Sequence, residues 1–315
     1  MRNPQIAIPW QQIDNLVVAL DSIIDGDLAV DMLISCGKCA IPPLAKFLLQ
    51  GYPRTVSLPR CRAARALGEL GARSTLISYF KEYTRPLDAS VLFAEDAVRS
   101  AAAQELARWK SDEVFEVLLD AAWQRTTGGL VLALGEFHRP ESIPLLFEVL
   151  EDDLCREYAK ESLLKMPDAT RQFCILAIRG FAIVKLEGPS AVCRRRATLQ
   201  LLHELGCSPD DWPDLRRFLR ESDPGTLIPT AQIGFLVAPE SEQSQILMAL
   251  LRVAQRLNYV QEEDVTQLLD AHPTVSREVA RQMVSERSDQ GERLNWLSPF
   301  WRMVQHLLGE SENKN

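Results

Sequence analysis

Positive charge is in short supply along this chain. The 35 Lys and Arg residues face 43 Asp and Glu, leaving a net charge of −8 at pH 7. Non-specific grip on nucleic acid or an anionic membrane needs the opposite balance, so neither is expected as a partner. Long apolar runs are missing too. The two longest, 128–134 and 174–184, are short or broken by Arg179, whereas a spanning helix needs about 20 apolar residues. No cationic start followed by an apolar stretch opens residues 1–10, so no secretory leader is expected. Sustained apolar–polar alternation, the mark of a half-buried strand, is absent. The 7 cysteines are odd in number and most fall in helical patterns, as buried thiols do. These absences describe a reduced, soluble, cytoplasmic, all-helical protein.

What the chain does have is a recurring unit. A helix ends in Leu67-Gly68-Glu69-Leu70-Gly71, and a close copy runs Leu134-Gly135-Glu136-Phe137. Looser versions stand at Leu33 to Gly37, Leu106 to Trp109 and Leu202 to Gly206. Aligned on the leucine, the series is Leu33, Leu67, Leu106, Leu134, Leu163, Leu202 and Ile233, with intervals of 34, 39, 28, 29, 39 and 31 residues. A small residue recurs four positions earlier (Ala63, Ala102, Ala159, Thr198), and an arginine seven positions earlier (Arg60, Arg99, Arg156, Arg195). Thr127 replaces the arginine before Leu134. Offsets of four and seven fall on one face of a helix. A second apolar helix follows each unit, at 40–49, 113–122 and 143–150, the first with Pro42 and Pro43 in its opening turn, where proline is tolerated.

Two stretches, Val98-Arg99-Ser100-Ala101-Ala102-Ala103-Gln104-Glu105-Leu106 and Arg60 through Gly71, resemble HEAT repeats. The variant is the short bacterial one also found in phycobilisome lyase subunits. The similarity covers residues 12–256, strongest over 58–166. It implies an all-α, right-handed α-solenoid of about seven HEAT-like helix pairs over 1–256. A C-terminal helical cap would occupy 257–309 and a flexible tail 310–315. It also implies an arginine ladder tying neighbouring repeats, with Asp96 and Asp153 three residues before Arg99 and Arg156; Ser57 and Val192 take that place before Arg60 and Arg195.

Catalytic and metal motifs are thin. Cys36-Gly37-Lys38-Cys39 has no second pair or histidines nearby to complete a zinc site, and turn filling explains it. His203-Glu204 resembles the His-Glu pairs of HEAT-like deoxyhypusine hydroxylases, which need several such pairs; only 4 histidines exist here. No metal, cofactor or catalytic residue is assigned. Arg216, Arg217 and Arg220 form a basic concentration with Arg194, Arg195 and Arg196, suited either to an anionic partner or to a solvated helix face. Glu116, Asp120 and Glu148 form, with Asp112, Glu113 and Glu141, an acidic set on the second helices, which repels a phosphate backbone.

The two 39-residue intervals place insertions near 82–93 and 181–189, expected as loops on a binding face. Phe181 and Ile183 in the second either tuck against the core or touch a partner. The expected function is a non-catalytic protein-binding scaffold that uses the concave face of the solenoid. The resemblance offers a second possibility, a subunit of a small-molecule-modifying enzyme such as a bilin lyase-like chaperone. Near the C-terminus Ser298, Pro299 and Gly309 delimit a final helix whose stripe of Phe300, Trp301, Val304, Leu307 and Leu308 suits an end cap.

Overall fold

A computed structural model describes residues 10–51, 54–181, 189–289 and 298–309. The described chain is helical throughout, with no strand. It divides into two units, Met1–Met166 and Pro167–Asn315. That boundary follows packing, whereas the limits expected at 256 and 309 follow the repeat.

The first unit contains α1 (Trp10–Ala19), α2 (Gly26–Cys36), α3 (Ile41–Gln50), α4 (Leu58–Glu69), α5 (Arg73–Lys81), α6 (Ala89–Leu106), α7 (Asp112–Gln124), α8 (Gly128–Gly135), α9 (Ile143–Val149) and α10 (Arg156–Leu164). Even-numbered helices pack in succession, α2 on α4, α4 on α6, α6 on α8 and α8 on α10, while α3, α5 and α7 pack in succession beside them. The repeat residues explain this order. Leu33, Leu67, Leu106, Leu134 and Leu163 are all fully buried, as are Ala63, Ala102 and Ala159. Burying a leucine stabilises by about 1.5–3 kcal/mol, so each unit pins one helix to the next.

The two glycines of the unit have different jobs. The first marks a close approach: a Cβ at Gly68 would lie 2.3 Å from the Glu105 carboxylate, and one at Gly135 would lie 2.4 Å from the Ser162 hydroxyl. The last carries a positive φ just past the helix end, +70° at Gly37, +73° at Gly71 and +81° at Gly206, which glycine adopts without strain.

Arg60, Arg99 and Arg195 of the arginine row are buried and Arg156 is half-buried, and the four do not act alike. Arg60 donates from Nε to the Leu48 carbonyl (2.9 Å), and its two Nη groups grip Glu95 at 2.6 and 3.2 Å. Tyr79 donates to the same carboxylate at 2.6 Å. Arg156 donates to the Leu150 carbonyl (2.8 Å) and pairs with Asp153 (2.6 Å). Arg99 reaches the other way, to the carbonyls of Ala121 and Arg125 at 2.8 and 3.3 Å, with its guanidinium 3.9 Å from the Tyr83 ring centre. Asp96 does not pair with Arg99; it holds Arg125 in a two-point contact. Arg195 is buried, 3.9 Å from Glu221 and over the Phe218 ring. Ion pairs between helices repeatedly join residues about one repeat apart. Arg62–Asp27 spans 35 positions, Arg108–Glu69 39, Lys165–Glu136 29 and Arg171–Asp211 40.

Of the first insertion, residues 82–88 are a connection, as expected, and 89–93 are added to the start of a helix. That helix, α6, runs 18 residues against 12 for α4. Asp88 makes this possible by capping the backbone N–H groups of Ser90 and Val91. Of the second insertion, residues 182–188, Ile183 among them, lie outside the described residues, as does the side chain of Phe181.

The stretch Gly26–Gln50 is the one among the described residues that is long and apolar enough by composition to cross a membrane. It is not one straight helix, because Gly37 at φ +70° breaks it, and Leu33, Leu44 and Leu48 are buried within the unit.

The second unit contains α11 (Pro167–Phe181), α12 (Pro189–Leu205), α13 (Trp212–Leu215), α14 (Pro224–Val237), α15 (Gln243–Val253), α16 (Tyr259–Ala271), α17 (Pro273–Asp289) and α18 (Pro299–Leu308). α12 packs on α11 and α14, α14 on α15 and α16, and α15 on α17. Leu202, Thr198 and Ile233, which the sequence repeat singles out, are buried. α18 packs across α16 and α17; Ser298 accepts the Trp301 N–H at its start, Gly309 closes it at φ +72°, and Phe300 and Trp301 are buried.

Candidate binding cleft

Sequence reasoning grouped six arginines; folding separates them. Arg196 is held by Asp223, whose carboxyl is pushed up by burial but brought below its ordinary range overall by the hydrogen bonds from Arg196 and Thr226. Arg195 is buried. Arg216, Arg217 and Arg220 leave that group and gather elsewhere.

α13 continues into a tight helical turn, Arg216–Arg220. This turn and α15 enclose a cleft of about 660 Å³ lined by Arg216, Arg217, Arg220 and Arg252, with Glu242 and Gln245. Pro213, Leu219, Met248 and Ala249 supply apolar wall. Glu242, just before α15, organises one side: it accepts from the Trp212 indole N–H at 2.7 Å and lies 3.6 Å from Arg216. Arg217 is committed to structure, donating to the Ile178 carbonyl and resting on the Phe218 ring at 4.9 Å. Arg220 and Arg252 are exposed and form no ion pair among the described residues. Four guanidiniums face one carboxylate, so the cleft carries a local positive excess on an acidic protein. Arg252 was not marked by the sequence, because it stands 32 positions beyond Arg220 and only the packing of α15 brings it to the same wall.

The acidic set is in the first unit. Arg73 pairs with Glu113, and Arg139 bridges Asp112 and Glu141 while lying over the Phe115 ring. Glu116, Asp120 and Glu148 remain exposed, without an ion pair among the described residues.

Burial raises the thiols of Cys61, Cys155, Cys174 and Cys207. Cys39 donates to the Cys36 carbonyl at 2.9 Å, and burial together with the neighbouring Cys39 pushes the Cys36 thiol up, away from thiolate. Among the described residues no group of three or more His, Cys, Asp or Glu is placed to hold a metal ion.

No family profile matches the chain, and no curated protein matches it.

Proposed function

We propose that this protein is a non-catalytic binding scaffold: a right-handed α-solenoid of HEAT-like helix pairs with a C-terminal cap, working in the cytoplasm. Its arginine cleft holds an acidic segment of a partner protein. The burial of the repeat leucines and the one-repeat span of the ion pairs support the solenoid reading. The observation that carries the functional reading is the cleft itself, where Arg220 and Arg252 stand unpaired beside Arg216. Guanidiniums pair carboxylates in two-point, charge-assisted contacts, and Met248 and Leu219 offer apolar contact to flanking residues. The cleft-lining residues of 216–220 and α15 lie on second helices of their repeats, the row that the HEAT resemblance assigns to the concave face.

A fluorescein-labelled hexaglutamate peptide is the direct probe. It should bind the native protein with an affinity that drops as salt rises. Arg220→Glu with Arg252→Glu should abolish binding while the circular dichroism and melting temperature stay unchanged. Equal binding by that double variant would overturn the reading.

A further inference from the structure

A second cleft lies wholly in the first unit and has the opposite chemistry. It measures about 890 Å³ and runs over α8 between α6 and α10. At its floor α8 begins with two glycines, which let α6 and Tyr158 of α10 pack closely against it. A Cβ at Gly129 would stand 2.5 Å from the Ser100 backbone, and one at Gly128 would stand 2.7 Å from the Tyr158 ring. With no side chains there, backbone and small polar groups form the base: Ser100 and Thr127 share a 3.0 Å hydrogen bond.

The walls are aromatic and unusually bare. Phe93, Trp123 and Tyr158 all line this cleft, and Leu154 stands with them. Their exposures are 81%, 51%, 43% and 85%. Phe93 comes from the extra turns that lengthen α6. Exposed apolar groups gathered at one polar-rimmed site mark an interaction surface.

Charge names the occupant. Arg125 and Asp96 also line the cleft but neutralise one another in their two-point pair. Asp152 is the remaining charged group; it is exposed and forms no ion pair among the described residues. Asp152 accepts the Leu154 N–H at 2.8 Å and also feels the Arg125 charge, but two carboxylates against one guanidinium leave the cleft one net negative charge. Beside exposed aromatic rings that excess favours a cation, because ring faces are electron-rich and attract ammonium or guanidinium groups. The same surroundings disfavour an anion. The room exceeds what one side chain fills, and Phe93 and Leu154 can receive apolar neighbours of the cation.

We propose that this cleft is a second docking site, which takes a lysine or arginine side chain presented on an apolar polypeptide segment of a partner. The cation meets Asp152 and the rings of Trp123, Tyr158 and Phe93, and the flanking apolar residues lie against Leu154. This site stands on different residues from the arginine cleft and on the other unit.

The test uses labelled Leu-Lys-Leu peptides read by fluorescence anisotropy, beside versions with norleucine or glutamate in place of lysine. Trp123 is followed in parallel through its indole N–H resonance, assigned by its loss in Trp123→Phe. The lysine peptide should bind and shift that resonance; the norleucine peptide should bind about fivefold or more weakly, and the glutamate peptide not at all. Asp152→Asn, an exposed and nearly isosteric change, should weaken the lysine peptide by about fivefold without altering the melting temperature. Arg220→Glu with Arg252→Glu should leave this binding unchanged. Lysine and norleucine peptides of equal affinity, full binding by Asp152→Asn, or binding that leaves the Trp123 resonance in place would each overturn the proposal.

Discussion

His138 occupies the position of Gly71. Each stands four residues after a repeat leucine, Leu134 and Leu67, and each has a left-handed backbone, φ +53° for His138 and +73° for Gly71. Gly37 and Gly206 repeat the arrangement after Leu33 and Leu202. Four of the repeat's helices thus end on a positive φ four residues after the leucine, and His138 adopts it at a cost that glycine avoids.

Replacing His138 with glycine should stabilise the protein by about 1 kcal/mol. The reverse change, Gly71→Ala, should destabilise it by a similar amount, since alanine meets no clash there but resists the positive φ. Paired denaturant melts of the two variants check both signs.

Glu95 should be costly to disturb. It is buried against Arg60 and Tyr79. Burial alone would raise its carboxyl, but the hydrogen bonds from Arg60 and Tyr79 bring it below the ordinary range. A carboxyl lower in the folded than in the unfolded chain adds stability that is complete above the unfolded value, about 4.3. That stability drains away as pH falls through the folded value. Glu95→Gln leaves Arg60 buried without a counter-charge and should cost about 3 kcal/mol at pH 7. The gap between variant and native protein should narrow as pH falls below 4, measured by urea melts across that range.

Two glycine-to-alanine changes should differ in sign. At Gly129 the new Cβ would press on the Ser100 backbone at 2.5 Å, which cannot rotate away, so a loss of about 1–3 kcal/mol is expected. At Gly180, in α11, nothing lies within 4 Å. There alanine should raise helix stability by up to about 1 kcal/mol. Thermal unfolding of both variants decides the matter.

The cysteines should react in order of exposure. Cys39 is exposed and should take up iodoacetamide first in the native protein. Burial holds the Cys155 thiol near 11, helped by Asp152, and the Cys174 thiol near 12. Neither should label before unfolding, as peptide mass mapping across a urea series would show.

The repeat was legible because its residues are bound by local geometry. Leucine, small residue and arginine at offsets of four and seven mark one helix face, and that face is the buried one at Leu67, Ala63 and Arg60 alike. The final helix was equally plain, because Ser298 and Gly309 act on backbone groups only a few residues away. The partners of the arginines were not. Nothing in the spacing of Asp96 and Arg99 tells that Asp96 turns instead to Arg125, 29 positions on.

Helical class, the repeat face, its glycine caps and the final helix were thus set by residues within about two turns of each other, where backbone geometry leaves few choices. Packing between helices decided which charges are spent and which remain. It buried Arg60 against Glu95, tied Arg196 to Asp223, and brought Arg252 beside Arg220 at a cleft wall. It also set Phe93, Trp123 and Tyr158 around one cleft at the start of α8. Such sites join side chains from helices a full repeat apart, and only the stacking of one helix on the next fixes those distances.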